Sequence, residues 1–219
     1  MSIDGYLDSA DDSRLVLSNE ADLDRVDEVR AGCDAILVGA RTVRNDDPRL
    51  QVRCPDRRLE RVAHGLKPSP LKVTVTCGAE LDPHARFFTA GDSERLVYCP
   101  TSTAPLARTR LGAVATVVDG GPRVSMQALS QDLGARGVGR LLVEGGGTIH
   151  TQFLAEDVAD ELHLVVAPFF VGDSRARRFV DDGAFPFRPD RPARLVDVRR
   201  LDEVVLLRYA LSERFEESA

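Results

Sequence analysis

The sequence has no apolar run of the roughly 20 residues that a membrane-crossing helix needs. The longest such stretch, Leu162 to Gly172, is broken by His163 and Pro168 and reads as a buried strand. The amino terminus lacks the basic-then-apolar order of a secretory signal, so the expected location is the cytoplasm. Positive charge is in deficit. A formal net charge of −6 over 219 residues argues against a protein that coats nucleic acid or anionic membrane, although it leaves room for a local basic pocket. Lysine is nearly absent, with only Lys67 and Lys72; arginine suits bidentate phosphate binding, but a genome-wide codon bias explains the count more simply, and no function is read from it. The four cysteines, Cys33, Cys54, Cys77 and Cys99, form no CxxC pair, and the four histidines are scattered. No metal is therefore expected, and the thiols read as reduced structural or surface groups. Also missing are Gx₄GK[ST], GxSxG, HExxH and any Cys–His nucleophile pair.

The apolar and charged fractions that are present suit a soluble globular chain. There is no repeat, low-complexity tail or interdomain linker, so residues 1–219 read as one domain. Short runs rich in Val, Leu and Ile recur at Ala35–Gly39, Leu71–Cys77, Arg95–Cys99, Ala113–Val118, Arg140–Val143, Leu162–Val171, Ala193–Val198 and Val204–Tyr209. Runs this short and apolar predict buried strands. Helical patterns lie between several of them. Ser18 or Asn19 can cap a helix bearing Leu23, Val26 and Val29; Ser125 can cap one bearing Met126, Leu129 and Leu133; a third starts near Gly147 with Ile149, Phe153 and Leu154. The loosest stretch, Cys54 to Pro70, mixes arginines with Pro55, Gly65, Pro68 and Pro70 and predicts an extended loop. Strand and helix alternate through the middle, and strands follow one another at the end. The pattern predicts an α/β fold, a mostly parallel sheet flanked by helices, with antiparallel C-terminal strands.

Three clusters carry chemistry. In the first, Arg140–His150, a strand runs into Gly145, Gly146 and Gly147 and then a helix, with Thr148 adding a hydroxyl. Glycines admit a ligand close to the backbone, and a helix start attracts phosphate; a plain tight turn is the alternative, since His150 replaces the last glycine of GxGxxG. Glu144 ends that strand, either as an acceptor for a ligand or as the partner of an arginine. The second cluster, Ala35–Arg53, ends a strand in a polar segment. Thr42 and Asp46 share a face if that segment is one helical turn, and Asp47-Pro48 breaks it. Arg30, Arg49 and Arg53 can bind a phosphate or line a solvated face, and Asp46 and Asp47 can cap the turn. The third cluster, Met1–Gly5 with Ser13–Ser18, predicts a turn, a short strand and a helix cap.

Together the clusters resemble the pyrimidine reductase family of riboflavin biosynthesis, the reductase domain of the bifunctional deaminase–reductase, whose fold is dihydrofolate-reductase-like. The resemblance rests on Ser2–Gly5, Ala35–Val43 with Asp46–Leu50, Leu142–Thr148, and Asp160–Pro168 with Val171-Gly172. It covers about residues 2 to 210. It implies NADPH-dependent reduction of the ribosyl group of a 6-ribosylaminopyrimidine 5′-phosphate to ribityl, with deaminated and undeaminated pyrimidines both open. It further implies that Thr42, Asp46, Gly146, Gly147, Thr148 and Ile149 hold NADPH, and that Ser13, Arg30, Leu50, Arg53 and Glu144 contact substrate. Arg30 and Arg53 are then expected to grip the phosphate. Asp46 and Glu144 are the candidate catalytic groups, Asp46 as an acid.

The family expectation is a homodimer through late strands bearing Val165, Val166, Phe169 and Phe170. Two features depart from the family. Leu15 stands where many members have Trp, and the family's first strand, which normally precedes Ser2–Gly5, is expected to be missing, with unpaired backbone groups costing about 1–3 kcal/mol each if buried. Two other functions stay open at this level. One is a related NADPH-dependent reductase acting on a pterin or a secondary-metabolite precursor; the other is a non-catalytic cofactor-binding remnant.

Overall fold

The computed structural model describes residues 1–11 and 15–215. The chain divides into two compact units, Val26–Ile149 and Met1–Arg25 with His150–Ala219. Helix α1 (Glu20–Ala31) runs through the first boundary. The unit Val26–Ile149 then contains β1 (Ala35–Gly39), α2 (Ala40–Asp46), α3 (Pro55–Ala63), β2 (Leu71–Val75), α4 (Arg86–Thr89), β3 (Arg95–Cys99), α5 (Ala104–Leu111), β4 (Thr116–Asp119), α6 (Met126–Ala135) and β5 (Leu141–Gly145), and helix α7 (Gly147–Ala155) runs through the second boundary. The five strands form a parallel sheet in the order β4-β3-β2-β1-β5. All five residues of β1 are buried, as a strand with a neighbour on each edge and helices on its faces requires. Ile36 and Val38 pack with Val43, Leu50, Phe87, Phe88, Val97 and Leu111 in the core of this unit.

The other unit carries β6 (Glu161–Val166), β7 (Arg194–Leu201) and β8 (Val204–Ala210), an antiparallel sheet in the order β6-β8-β7. The predicted α/β fold, with its parallel sheet and antiparallel late strands, is the fold observed. Two predicted caps are in place. Asn19 Oδ1 accepts the Asp22 N–H at 2.9 Å, and Ser125 Oγ accepts the Ala128 N–H at 3.4 Å. The Ser125 helix buries Met126, Leu129 and Leu133 as its spacing predicts.

Four local expectations are corrected. The supposed loop from Cys54 contains α3, because Pro55 at the helix start has no N–H to lose and a backbone angle already set for the helix. The helix gives way to Gly65, at φ +76°. The strand expected to reach Val171 stops at Val166, since Pro168 cannot donate to a ladder. No strand forms at residues 15–18; Ser13, in the same predicted strand, lies outside the described residues. On α1 the apolar stripe is incomplete. Leu23 is 40% exposed, while Asp22 and Asp27 are buried. All four cysteines are free thiols, and among the described residues no helix is long and apolar enough to cross a membrane.

Candidate active site

The order of the parallel sheet locates the site. The chain steps outward from β1 through β2 and β3 to β4, then returns to the opposite flank of β1 for β5. In open parallel sheets the ligand crevice opens where the direction reverses, at the carboxyl ends of the strands. Here that place lies between the ends of β1 and β5. Helix α2 begins at Ala40, directly after β1, and α7 begins at Gly147, with Gly146 alone between it and β5. Gly145 has φ +114°, and the Gly145–Gly146 peptide is cis. A Cβ on Gly146 would stand 3.5 Å from Thr42 Oγ1, so the glycine turn and the first turn of α2 are in contact. A Cβ on Gly39 would lie 2.9 Å from Ile149 Cγ1, so only glycine lets the first turn of α7 close against the end of β1. Thr42 and Asp46 lie one helical turn apart on α2, and Asp46 is exposed. The helix stops at Asp47, which takes the left-handed conformation at φ 42° before Pro48. Asp47 receives the Arg86 backbone N–H and pairs with its guanidinium at 2.8 Å, so it is a structural capping group.

Glu144 occupies an irregularity in the sheet. Leu37 pairs with Val143 and Val38 with Gly145, so Glu144 is an extra residue with no partner on β1. A bulge of this kind re-aims one side chain out of the alternation of its strand. The Glu144 carboxylate meets the Arg30 guanidinium in a bidentate pair, Nε to Oε1 at 2.5 Å and Nη2 to Oε2 at 2.6 Å, with both side chains under 20% exposed. Burial works against the Arg30 charge, but the hydrogen bonds and charge of Glu144 more than offset it and hold the Arg30 pKa above its ordinary value. Of the two readings of Glu144, the arginine partner is therefore present in this structure, and the pair stands at the carboxyl end of β5. Arg30 Nη1 donates in addition to the Gln51 carbonyl at 3.3 Å.

The segment from Leu50 to Cys54 forms the next wall. Leu50 has φ 45° and a side chain 3% exposed in the core, so any contact it makes with a ligand comes through its backbone. The Arg53 side chain is 54% exposed. Arg49 is exposed nearby. Thr148 is exposed and Ile149 buried in the first turn of α7, and Gly146 and Gly147 are partly exposed beside them. The structure thus brings Arg30, Thr42, Asp46, Leu50, Arg53, Glu144 and the Gly146–Ile149 turn into one unit, while Ser13 lies outside the described residues. The sequence reading missed Asp27, a buried carboxylate that holds the Arg53 backbone. An acid three residues before Arg30, on the same face of a predicted helix, is the signal that could have found it.

The cradle fits a dinucleotide. Small residues line the glycine turn, a helix begins on it, and a hydroxyl-bearing helix turn stands opposite. Fold and topology define an α/β protein whose parallel sheet has its switch point between β1 and β5. The sequence matches the RibD C-terminal domain over residues 1–207, and the chain belongs to that family. It is 34% identical over 216 residues to the 2,5-diamino-6-ribosylamino-4(3H)-pyrimidinone 5′-phosphate reductase of Archaeoglobus fulgidus, covering 98% of this chain and 94% of the relative. The enzyme of the same name from Methanothermobacter thermautotrophicus is 37% identical over 184 residues, covering 83% and 80%. Among solved structures, Acinetobacter baumannii RibD superposes with a TM-score of 0.76 at 25% identity over 95% of this chain, which spans 55% of that longer one.

Proposed function

We propose that this chain is a pyrimidine 5′-phosphate reductase of riboflavin biosynthesis, acting on 2,5-diamino-6-ribosylamino-4(3H)-pyrimidinone 5′-phosphate with NADPH as reductant. The observation that carries the reading is the placing of the Arg30–Glu144 pair, on its bulge, two residues from the glycine turn at the switch point. The full-length relatives named for this substrate favour the undeaminated pyrimidine.

NADPH supplies the hydride that, with one proton, converts the ribosyl group to ribityl. The chain's residues then divide the work. The Gly146–Ile149 turn and the Thr42–Asp46 face of α2 bind the cofactor phosphates and ribose. Glu144, aimed by Arg30, accepts hydrogen bonds from the amino and ring N–H groups of the pyrimidine through lone pairs that Arg30 leaves unused. Arg53 meets the phosphate, because Arg30 has committed its fork to Glu144. Asp46 is assigned as the proton donor, and Leu50 contributes backbone contact.

The test follows loss of nicotinamide absorbance with the diaminopyrimidinone and the deaminated uracil form offered separately. Oxidation with the former, several-fold faster than with the latter, is expected. No oxidation with either, by folded protein that binds NADPH, refutes the reductase reading.

A further inference from the structure

Asp27 is 2% exposed and, with Asp22, one of two buried carboxylates on α1. Its Oδ1 accepts the Arg53 backbone N–H at 2.6 Å, and its Oδ2 accepts the Cys54 N–H at 3.0 Å. Two guanidinium groups also reach it, Arg57 Nη1 at 3.2 Å and Arg53 Nε at 3.5 Å. Burial alone would raise its pKa, but the two backbone donors and two arginines together hold it below the ordinary carboxylate value. Cys54 is the residue before α3 and makes no side-chain cap, and Asp27 reaches across from α1 to hold its backbone N–H. One helical turn further along α1, Arg30 ties the same segment through the Gln51 carbonyl. A single turn of α1 therefore fixes Glu144 on one side and residues 51–54 on the other.

We propose that Asp27 is a positioning residue for substrate recognition: it sets the Leu50–Cys54 segment and the Arg53 guanidinium where the 5′-phosphate of the pyrimidine substrate is received. The proposal rests on the reductase reading above and on Arg53 as the phosphate group's partner. Asp27 does not touch substrate. It acts by fixing the backbone of Arg53 through one oxygen while steering the same residue's side chain with that oxygen, so neither can drift without the other.

Kinetics of the whole chain with the phosphorylated substrate and with its dephosphorylated riboside test this. Asp27→Asn keeps the volume but puts an amide donor against donors. It is expected to raise KM for the phosphorylated substrate about tenfold, the loss of a charge-assisted hydrogen bond. The same variant should hold kcat within about twofold, leave the NADPH KM unchanged and alter the riboside KM far less than that of the phosphorylated substrate. Adding Asp27→Asn to Arg53→Ala should cost nothing further, since both act through one contact. An equal loss on phosphorylated and dephosphorylated substrate, or full additivity with Arg53→Ala, would show a merely structural role and overturn the proposal. If Arg53→Ala itself leaves the preference for the phosphate intact, the Arg53 assignment fails and Asp27 falls with it. If Arg53→Ala abolishes the preference and Asp27→Asn does not alter it, only the Asp27 proposal fails. Should Asp27→Asn not fold, Asp27→Glu carries the same test: a carboxylate displaced by one methylene must raise KM selectively for the phosphorylated substrate, and an indiscriminate effect overturns the idea.

Discussion

Glu144 and Arg30 are bound more tightly to one another than their sequence positions suggest, and removing one exposes the other. Glu144→Ala leaves a mostly buried guanidinium without its carboxylate, which should cost about 3 kcal/mol of stability by urea unfolding. It should also lower kcat/KM for the pyrimidine about 100-fold while NADPH affinity changes much less, a split that assay and fluorescence titration can read. Unchanged turnover in the variant would end the substrate role of Glu144. The types of these residues could be read from the sequence, because a carboxylate and a glycine turn after an apolar run describe a strand end. Their pairing could not. The extra residue that turns Glu144 out of the ladder depends on the register with β1, about 100 residues away, and no local pattern encodes it.

At the scale of elements, apolar periodicity located β1, β3 and the Ser125 helix closely because their burial follows it. Helix α3 escaped that reading for a physical reason. It is turned opposite to expectation, with Leu59 and Val62 exposed and Arg61 buried. Arg61 donates to the carbonyls of Lys67, Ala31 and Cys33 at 2.9, 2.6 and 2.8 Å, and so satisfies the end of α1. The apolar residues of the helix face solvent and an arginine is buried in their place, so burial does not follow the pattern. The contact between β1 and α7 is equally non-local. Gly39→Ala would drive a methyl into Ile149, which is 6% exposed and stiff at its branched Cβ. The first turn of α7 must then move, at a cost of about 1–3 kcal/mol, and NADPH affinity should fall with it. Wild-type affinity in a variant with lowered stability would separate that glycine from the cofactor cradle.

For the molecule as a whole, a few buried groups set the response to pH. One of the two lysines, Lys72, is fully buried in β2 and donates to the carbonyls of Phe87 and Ala90. Burial, aided by the charge of Arg95, lowers its pKa from 10.5 to about 8. The folded state therefore holds fewer protons than the unfolded one above about pH 8, and stability should rise from there. Cys33, pushed by burial from 9.0 to about 11, works the other way above pH 9, where the unfolded thiol begins to ionise first. Urea midpoints should thus climb between about pH 8 and pH 9, and Lys72→Met should flatten that climb. At the acid end, burial would raise Glu161, but His163 and Arg208 bring it down to about 2. Its contribution is whole above its ordinary 4.5 and drains as pH falls through about 2.

Arg30 and Glu144 cancel one another's charge at contact distance, so a diffusing phosphate dianion meets a dipole there and not a cation. In a chain of net charge −6, the proposed phosphate site then leaves the encounter to the arginines at the Asp27 cluster, against a background field that repels. Added salt weakens the local attraction and the global repulsion together, which leaves substrate capture nearly indifferent to ionic strength. On the proposed roles, the ion pair gives up speed of encounter in exchange for a carboxylate already oriented when the pyrimidine arrives.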